Sequence, residues 1–518
     1  MTLTRPGPPA PQEAAGSPGE AAAVPAAVPA PVPAPVPAAV PAAVPAAVPY
    51  AGVPALGDGP LSADAVLRAR CLEVLLGDPH RPTGPCGRTA SEAAREVPAP
   101  SGALGAVLPG PADVRRLGAD GIVRVLRPLL RRDLALGHAW AVRPLSGALA
   151  GETAGGPGTE LGALLGPAAL IAAAGGALHT TARLVDCLAT RAPGVRRWQP
   201  VLAADFADLL ACESLTAVAL RAADLTAGGT PALTAAAGYV VPQLVGQVLD
   251  DLELVLNETG FGPDTAERRA LAELAADRAA TGADPAAAAG GQARLIRALP
   301  SLAGPAGGAF RSGAEPGEGG ERAEPRELFR LGRAAAAPAG GRRAVSTADV
   351  AAALPGAAAR LAERAADDPA LAALTRVARR LATEQRTLRL PYPAAGHTNP
   401  ADPAARALAD RQALLLLAAA VLGVGQEAGG FLGGPHWALL ALARVTRRLG
   451  APLPEPAVDP AGEVWAELAE RTRRGVDCDV YASELLWAGP GAQSEAAGAR
   501  ADTRAGTEAG RRRGGGGT

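Results

Sequence analysis

The sequence predicts an all-α protein. Apolar residues recur with the 3.6-residue helical period through several long segments. A sheet would require a succession of period-2 runs rich in β-branched and aromatic residues, and the sequence contains none. The 64 glycines and 50 prolines crowd into three stretches that separate the helical segments. We therefore expect helical bundles interrupted by long segments that cannot build a core.

These shifts in composition divide the 518 residues into six parts. The predicted order is a disordered Pro/Ala-rich segment at 1–60, helical regions at 61–150 and 161–302, a Gly/Pro/Glu-rich linker at 303–345, a further helical region at 346–488 and a disordered tail at 489–518. Within the first segment, a proline every few residues over 24–48 favours an extended polyproline II chain.

Two helical patterns lie in the region 61–150. Ser62 is a favourable N-cap for a helix that Gly77-Asp78-Pro79 stops. Over 113–141 the valines, leucines and isoleucine fall on one face, which predicts one or two amphipathic helices. The arginines of this segment are expected largely on the opposite face: Arg115, Arg116, Arg124, Arg131 and Arg132.

Three long helices are expected in the region 161–302. Residues 161–189 are apolar nearly all round, which is typical of a buried helix. Residues 202–227 and 233–256 repeat the helical period, and Pro242 lies near the first turns of the third helix. Because short turns join the three helices, we expect them to pack antiparallel.

The region 346–488 is also predicted to be helical, but its sequence indicates no function. It opens at Ser346, the first residue of a weak capping box. The arginines of its helices, such as Arg376 and Arg379, are interpreted as solvated. The glycine-rich stretch 423–434 has no preceding strand, so we interpret it as a helix stop and turn and not as a phosphate-binding loop.

Composition and charge argue against several classes of function. A net charge of −1, with only arginine as basic residue, gives no general attraction to nucleic acid. Five scattered cysteines without a C-x-x-C pair predict neither a metal site nor a disulfide framework. Nothing in the sequence places a nucleophile or an orienting acid beside any of the five histidines.

A membrane location is not expected either. The first residues contain no apolar signal-peptide core, and the longest uninterrupted apolar run, 413–424, is too short to cross a bilayer. We expect a cytoplasmic protein with no membrane partner.

Three successive segments carry the most informative pattern: GALHTTARLVDCLATRAPG, QPVLAADFADLLACESLTAVALRAADL and AAAGYVVPQLVGQVLDDLELVLNETGF. The first ends in Arg-x-x-Gly at Arg191 and Gly194, with Pro193 where an aromatic residue is usual. The third runs from Tyr239 to a turn at Gly260. In this order they resemble the helical C-terminal domain of the acyl-CoA dehydrogenase family, actinobacterial type. Upstream, LEVLLGDPHRP and VLRPLLRRDLALGHAWAV resemble the N-terminal helical domain, so the resemblance spans 62–302.

The resemblance implies a flavin-dependent oxidoreductase that dehydrogenates an acyl thioester and uses FAD. In the family an arginine reaches a flavin phosphate across a dimer interface, which assigns Arg191 to cofactor binding and implies a homo-oligomer. Gly194 and Gly260 are the other cofactor-binding positions that the resemblance implies. The substrate would be acyl-CoA or an acyl-carrier thioester. The family's carboxylate base falls in 279–291, where the sequence offers only Asp284.

The chain departs from the family in three respects. A β-domain of about 100 residues that covers the flavin ring is replaced by 151–160 alone. The turn whose backbone amides hold the flavin pyrophosphate has lost a glycine and carries Glu258, and both changes disfavour a phosphate. Asp284, a short acid beside Pro285, is more typical of a turn residue than of a base. The cofactor and the base are therefore the weakest parts of the resemblance.

Two functions stay open at the level of sequence. The first is an acyl-CoA dehydrogenase-like flavoenzyme, which the helix order and the matched residues favour. The second is a catalytically inactive helical relative that acts as a partner or scaffold of an intact paralogue, which the departures favour. A helical repeat scaffold would show a recurring period of roughly 20–50 residues, and the sequence shows none.

Overall fold

The computed structural model describes residues 63–76, 102–150, 157–225, 231–281, 285–303, 326–331, 347–365, 368–388, 399–451 and 458–487. All of them belong to one compact unit, Ala55–Thr518. The predicted disordered segments 1–60 and 489–518 lie outside the described residues.

The described chain is helical, as predicted. Its helices are α1 Ala63–Leu76, α2 Gly102–Val107, α3 Val114–Arg132, α4 Leu134–Gly137, α5 Arg143–Leu149, α6 Pro157–Ala189, α7 Gln199–Leu225, α8 Pro231–Glu258, α9 Ala266–Ala280, α10 Pro285–Ala303, α11 Arg326–Phe329, α12 Thr347–Arg364, α13 Pro369–Leu388, α14 Pro403–Glu427, α15 Gly430–Gly433, α16 Pro435–Arg448 and α17 Ala461–Arg474. Short 3-10 turns lie at Pro111–Asp113 and Pro193–Trp198, and a π-helical turn at His138–Val142. Among the described residues there is no strand, only an isolated bridge between Val476 and Glu484.

Helix α7 is the centre of the fold. Nearly every one of its residues from Leu202 onward is buried, and it packs against α3, α6, α8, α14, α16 and α17. Helices from all three predicted helical regions thus share one hydrophobic core around α7. Its mostly Ala, Leu and Val side chains present apolar surface on every side, which explains why it must be surrounded.

Part of the predicted linker 303–345 folds onto this core. Helix α11 buries Leu328 and Phe329, and Arg221 of α7 donates through its Nη2 to the carbonyl of Glu327 at 2.6 Å. Phe329 also explains a glycine that we had interpreted as part of a helix stop. Helix α14 continues through Gly423 and ends at Glu427. The residue at 423 is glycine because a Cβ there would collide with the Phe329 ring.

Three helices are long and apolar enough, by length and composition alone, to cross a membrane: Gly158–Ala189, Pro231–Glu258 and Pro403–Glu427. The expectation that no segment is long enough is therefore wrong, because each helix continues beyond its uninterrupted apolar run. In the fold, other parts of the chain bury 72%, 83% and 72% of their most apolar windows. Cytoplasmic location remains a prediction.

Candidate functional site

The segment after α17, which we call the C-terminal loop (residues 475–487), is irregular, and yet the first half of it is largely buried. Asp477, Cys478, Asp479, Val480 and Tyr481 are all buried in succession. Loops normally run over the surface because their backbone groups need partners. Here the partners lie within the loop and on its neighbours, including Arg471 and Glu213.

A left-handed turn and the loop's own hydrogen bonds shape it. Gly475 ends α17 with φ 66 and ψ 47, the left-handed cap that glycine favours. The amide of Asp477 then donates to the carbonyl of Ser483, and the amide of Leu485 to that of Gly475. Ala482, between them, has a φ of 50, a conformation that costs a non-glycine residue energy.

Two arginines of α3 meet the loop inside the core. Arg127 and Arg131 lie one helical turn apart, and both contact the carboxylate of Asp477, with 2.8 Å from Arg127 Nε to Asp477 Oδ2. Arg131 also contacts Glu73 of α1. These contacts correct the expectation for Arg131, which was predicted on the solvated face of α3 and is instead buried.

To the charged residues around Asp477, helix α7 adds a further buried carboxylate, that of Glu213. Its Oε1 accepts from Arg127 Nη1 at 2.5 Å, and its Oε2 accepts from the backbone amide of Val480 at 3.0 Å. Asp479 accepts from the amide and the hydroxyl of Ser483, at 2.9 and 2.6 Å. We call the six charged residues together the buried charge cluster: Glu73, Arg127, Arg131, Glu213, Asp477 and Asp479.

The buried charge cluster holds two guanidinium groups against four carboxyl groups. Burial, together with Asp479 and Asp477, raises the pKa of Glu213 to about 8, although Arg127 opposes the shift. For Asp477 burial also favours the neutral form, but Arg127 and Arg131 outweigh it and hold the pKa of that carboxyl well below its usual range. The surroundings therefore favour the neutral form of Glu213 more than those of an exposed carboxyl would, and they favour the ionised form of Asp477 between the two arginines.

Tyr481 anchors the loop on the part of α3 that precedes Arg127. Its hydroxyl donates to Asp120 Oδ1 at 2.5 Å, and the guanidinium carbon of Arg124 lies 3.8 Å from the centre of its ring. Beside these groups is a cavity of about 20 Å³, lined also by Glu213 and Thr216. That space admits a water molecule but not an acyl thioester or a flavin ring.

In contrast to the buried charge cluster, the residues predicted to bind cofactor lie at an exposed end of the α6–α7–α8 bundle. We call this end the bundle tip (residues 190–198 and 257–261). Arg191, Gly194 and Gly260 are all exposed. The two segments are joined by an ion pair between Arg197 Nη2 and Glu258 Oε2 at 2.9 Å, with both side chains at least half exposed. The fold thus brings the matched segments to one end of the bundle.

The turn at the bundle tip does not fit a pyrophosphate. The amides of Thr259 and Phe261 donate to the carbonyls of Val255 and Leu256 at 3.0 Å, and that of Gly260 donates to Asn257 at 3.3 Å. Phosphate binding at such a turn requires amides that are free to point at the ligand. With these three amides engaged and Glu258 beside them, FAD binding remains a prediction that the turn disfavours.

The other positions singled out by the resemblance, and the helix next to them, show packing contacts between helices or lie outside the described residues. Asp284, the predicted base, lies outside the described residues. In the following helix, α10, a Cβ on Gly291 would lie 2.7 Å from the backbone of Gly238, so the small residues there permit close packing of α10 on α8. Tyr239 donates from its hydroxyl to Asp410 Oδ1 at 2.5 Å and thereby ties α8 to α14.

A larger cavity of about 380 Å³ lies between the α15–α16 segment and α17. Its lining residues include Phe431, His436, Glu463 and Glu467, and none of the predicted site residues. Within the described part of the chain, no group of three or more His, Cys, Asp or Glu side chains could hold a metal ion.

Comparisons of the chain with protein-family models, with curated proteins and with solved structures find no match. The acyl-CoA dehydrogenase resemblance therefore rests on the sequence pattern alone.

Sequence reasoning missed the buried charge cluster. One signal for it was present: Arg127 and Arg131 follow Leu126 and Leu130 within an otherwise apolar stretch, so an amphipathic face could not exclude both from the core. A second was Glu213 within the apolar run of α7. A charged residue at a core position predicts a buried partner, but the sequence does not say which one.

Proposed function

We propose that this chain is a catalytically inactive helical relative of the acyl-CoA dehydrogenases that acts as a partner or scaffold for an intact flavin-dependent paralogue. The observation that carries the proposal is the turn at Thr259, Gly260 and Phe261, whose amides donate to carbonyls of α8. A turn whose donors are engaged in this way has none left for the cofactor that defines the family's chemistry.

The buried charge cluster supports the same conclusion. Dehydrogenation of an acyl thioester needs a carboxylate base that the substrate can reach. Glu213 has the raised pKa of such a base, but Arg127 and the amide of Val480 occupy its two oxygens. Its neighbouring cavity of about 20 Å³ is smaller than any thioester. Groups arranged in this way stabilise the packing of α3, α7 and the C-terminal loop.

The alternative is an active flavoenzyme, and one observation favours it. Arg191, Gly194 and Gly260 belong to segments that the Arg197–Glu258 ion pair joins at one end of the bundle. Such an enzyme would bind FAD and act on acyl-CoA or an acyl-carrier thioester, with Arg191 on a flavin phosphate and Asp284 as base.

Flavin binding separates the two functions. The purified full-length chain is mixed with FAD, and its visible spectrum and its Tm are measured with and without the cofactor. We expect a colourless protein whose Tm does not change. A yellow preparation, or a Tm increase that Arg191→Ala abolishes, would establish the flavoenzyme instead.

The partner role has its own test. If the gene of an intact acyl-CoA dehydrogenase lies beside the gene of this chain, the two purified proteins are mixed and their masses measured by light scattering after gel filtration. We expect one complex that contains both chains. Separate elution at micromolar concentrations would contradict the partner role, whatever the result with flavin.

A further inference from the structure

Asp120 and Arg124 of α3 are placed to form an ion pair but do not make one directly. They lie four residues apart on α3, a spacing that favours side-chain contact. Both contact Tyr481, Asp120 by its hydrogen bond and Arg124 by its position over the ring. Nevertheless, the ion pairs within 4.0 Å in the described chain do not include one between these two residues.

Each of the two side chains keeps a polar atom without a protein partner. Asp120 Oδ2 and Arg124 Nη1 are shielded from solvent and bond no protein atom. A buried polar group left unsatisfied destabilises the fold, and more strongly when it is charged. Both residues line the cavity of about 20 Å³, which is large enough for one water molecule.

We propose that this cavity is a binding site for one ordered water molecule that bridges Arg124 and Asp120. The water accepts from Arg124 Nη1 and donates to Asp120 Oδ2, so that both unsatisfied atoms gain a partner. An anion fits less well because the carboxyl groups of Asp120 and Glu213 line the same cavity. An ammonium ion fits less well because the guanidinium groups of Arg124 and Arg127 line it too.

The bridge would position the C-terminal loop. With the water in place, Asp120 and Arg124 are held one helical turn apart on either side of Tyr481, which can then keep both its hydrogen bond and its ring contact. Asp120 and Arg124 thus hold Tyr481 directly, and the water holds these two side chains relative to each other.

A high-resolution crystal structure of the full-length chain, collected with and without a sodium bromide soak, tests the site. We expect a water peak within hydrogen-bonding distance of both Asp120 Oδ2 and Arg124 Nη1, with no anomalous bromide signal. A bromide peak at that position would make the site an anion site. A direct contact between the two side chains, with no water, would also overturn the proposal.

The variant Arg124→Met provides the second measurement. It keeps an unbranched apolar stem but removes the guanidinium group and with it the donor. We expect the water peak to disappear while the hydrogen bond from Tyr481 to Asp120 persists. A water that stays at full occupancy in this variant does not depend on Arg124, and the bridge would then be wrong.

Discussion

The bundle tip and the buried charge cluster use the same chemistry, arginine against carboxylate, in opposite surroundings. At the tip, Arg197 and Glu258 pair with about half or more of each side chain exposed. In the cluster, Arg127 and Asp477 pair at the same kind of distance with 6% and 0% exposed. Water and salt screen the first pair, whereas the second exchanged its hydration for the contacts of its partners.

The residues that resemble the family and the residues that are expected to contribute most to stability therefore lie in different regions. The residues matched to a family lie at the tip, where single contacts contribute little to folding. The residues with the largest electrostatic consequences lie in α3, α7 and the C-terminal loop, for which the sequence indicated no role. Four changes, from the largest expected effect to the smallest, test whether the two regions differ as described.

Removing the carboxylate shared by two arginines should have the largest effect. We expect Asp477→Ala to lower the free energy of unfolding by about 3–5 kcal/mol, because it removes the buried carboxylate that both Arg127 and Arg131 contact. Guanidinium chloride unfolding followed by circular dichroism measures it. Arg197→Ala at the tip is the matched control, with an expected loss of no more than about 1 kcal/mol. Equal losses in the two variants would remove the contrast.

The pH dependence of stability should carry the signature of Glu213. Because its pKa is raised from 4.5 to about 8 in the fold, the folded chain binds more protons than the unfolded chain between these values. The stability that Glu213 contributes is full below pH 4.5 and is lost as the pH rises to about 8, by at most about 1.4 kcal/mol per pH unit.

The variant Glu213→Gln isolates this contribution. It keeps the size of the side chain and cannot ionise, so we expect its stability to change less than the wild type between pH 5 and pH 8. Parallel urea unfolding curves at several pH values provide the comparison. Asp477 acts with the opposite sign, since its pKa is lowered in the fold, and its contribution is lost as the pH falls below about 4. Identical slopes for the variant and the wild type would exclude Glu213 as the titrating group.

A methyl group at Gly423 should disturb the core that supports the cluster. We expect Gly423→Ala to destabilise the fold by about 1–3 kcal/mol, because its Cβ would collide with the Phe329 ring and overpack the α11–α14 contact. Gly166→Ala in α6 is the control, since nothing lies within 4 Å of a Cβ there, and alanine favours the helix by up to about 1 kcal/mol. Thermal unfolding of both variants should shift Tm in opposite directions.

The hydroxyl of Tyr239 should contribute least. Tyr239→Phe removes a hydrogen bond to Asp410, and we expect a loss of about 1 kcal/mol because Gln292 Nε2 still donates to the same carboxylate. Burial and Asp410 raise the pKa of Tyr239 to about 12, and burial also raises the pKa of Tyr481 well above its usual range. The wild type should therefore show two late-titrating tyrosines in its ultraviolet absorbance, and this variant only one. A normal titration of all tyrosines in the wild type would show that the bond to Asp410 is weak in solution.

Local pattern predicted the helices well. The apolar period placed α6, α7 and α8 close to their observed bounds, since that period reports which face of a helix must be buried. The family resemblance, which is also read from residues close together in the sequence, led to the exposed positions Arg191, Gly194 and Gly260. The apolar period misplaced Arg131, since a helical wheel cannot distinguish an arginine facing water from one facing a carboxylate inside the core.

By itself the sequence determined that the described chain is helical and that most of α6 is buried, because both follow from the apolar pattern within a few turns of chain. Only the tertiary structure decided which charges are paired. Arg127 and Asp477 are 350 residues apart, and no periodicity links them. Their contact exists because α3, α7 and the C-terminal loop pack against one another. Whether a buried charge stabilises or destabilises the fold depends on the partner that this packing places beside it.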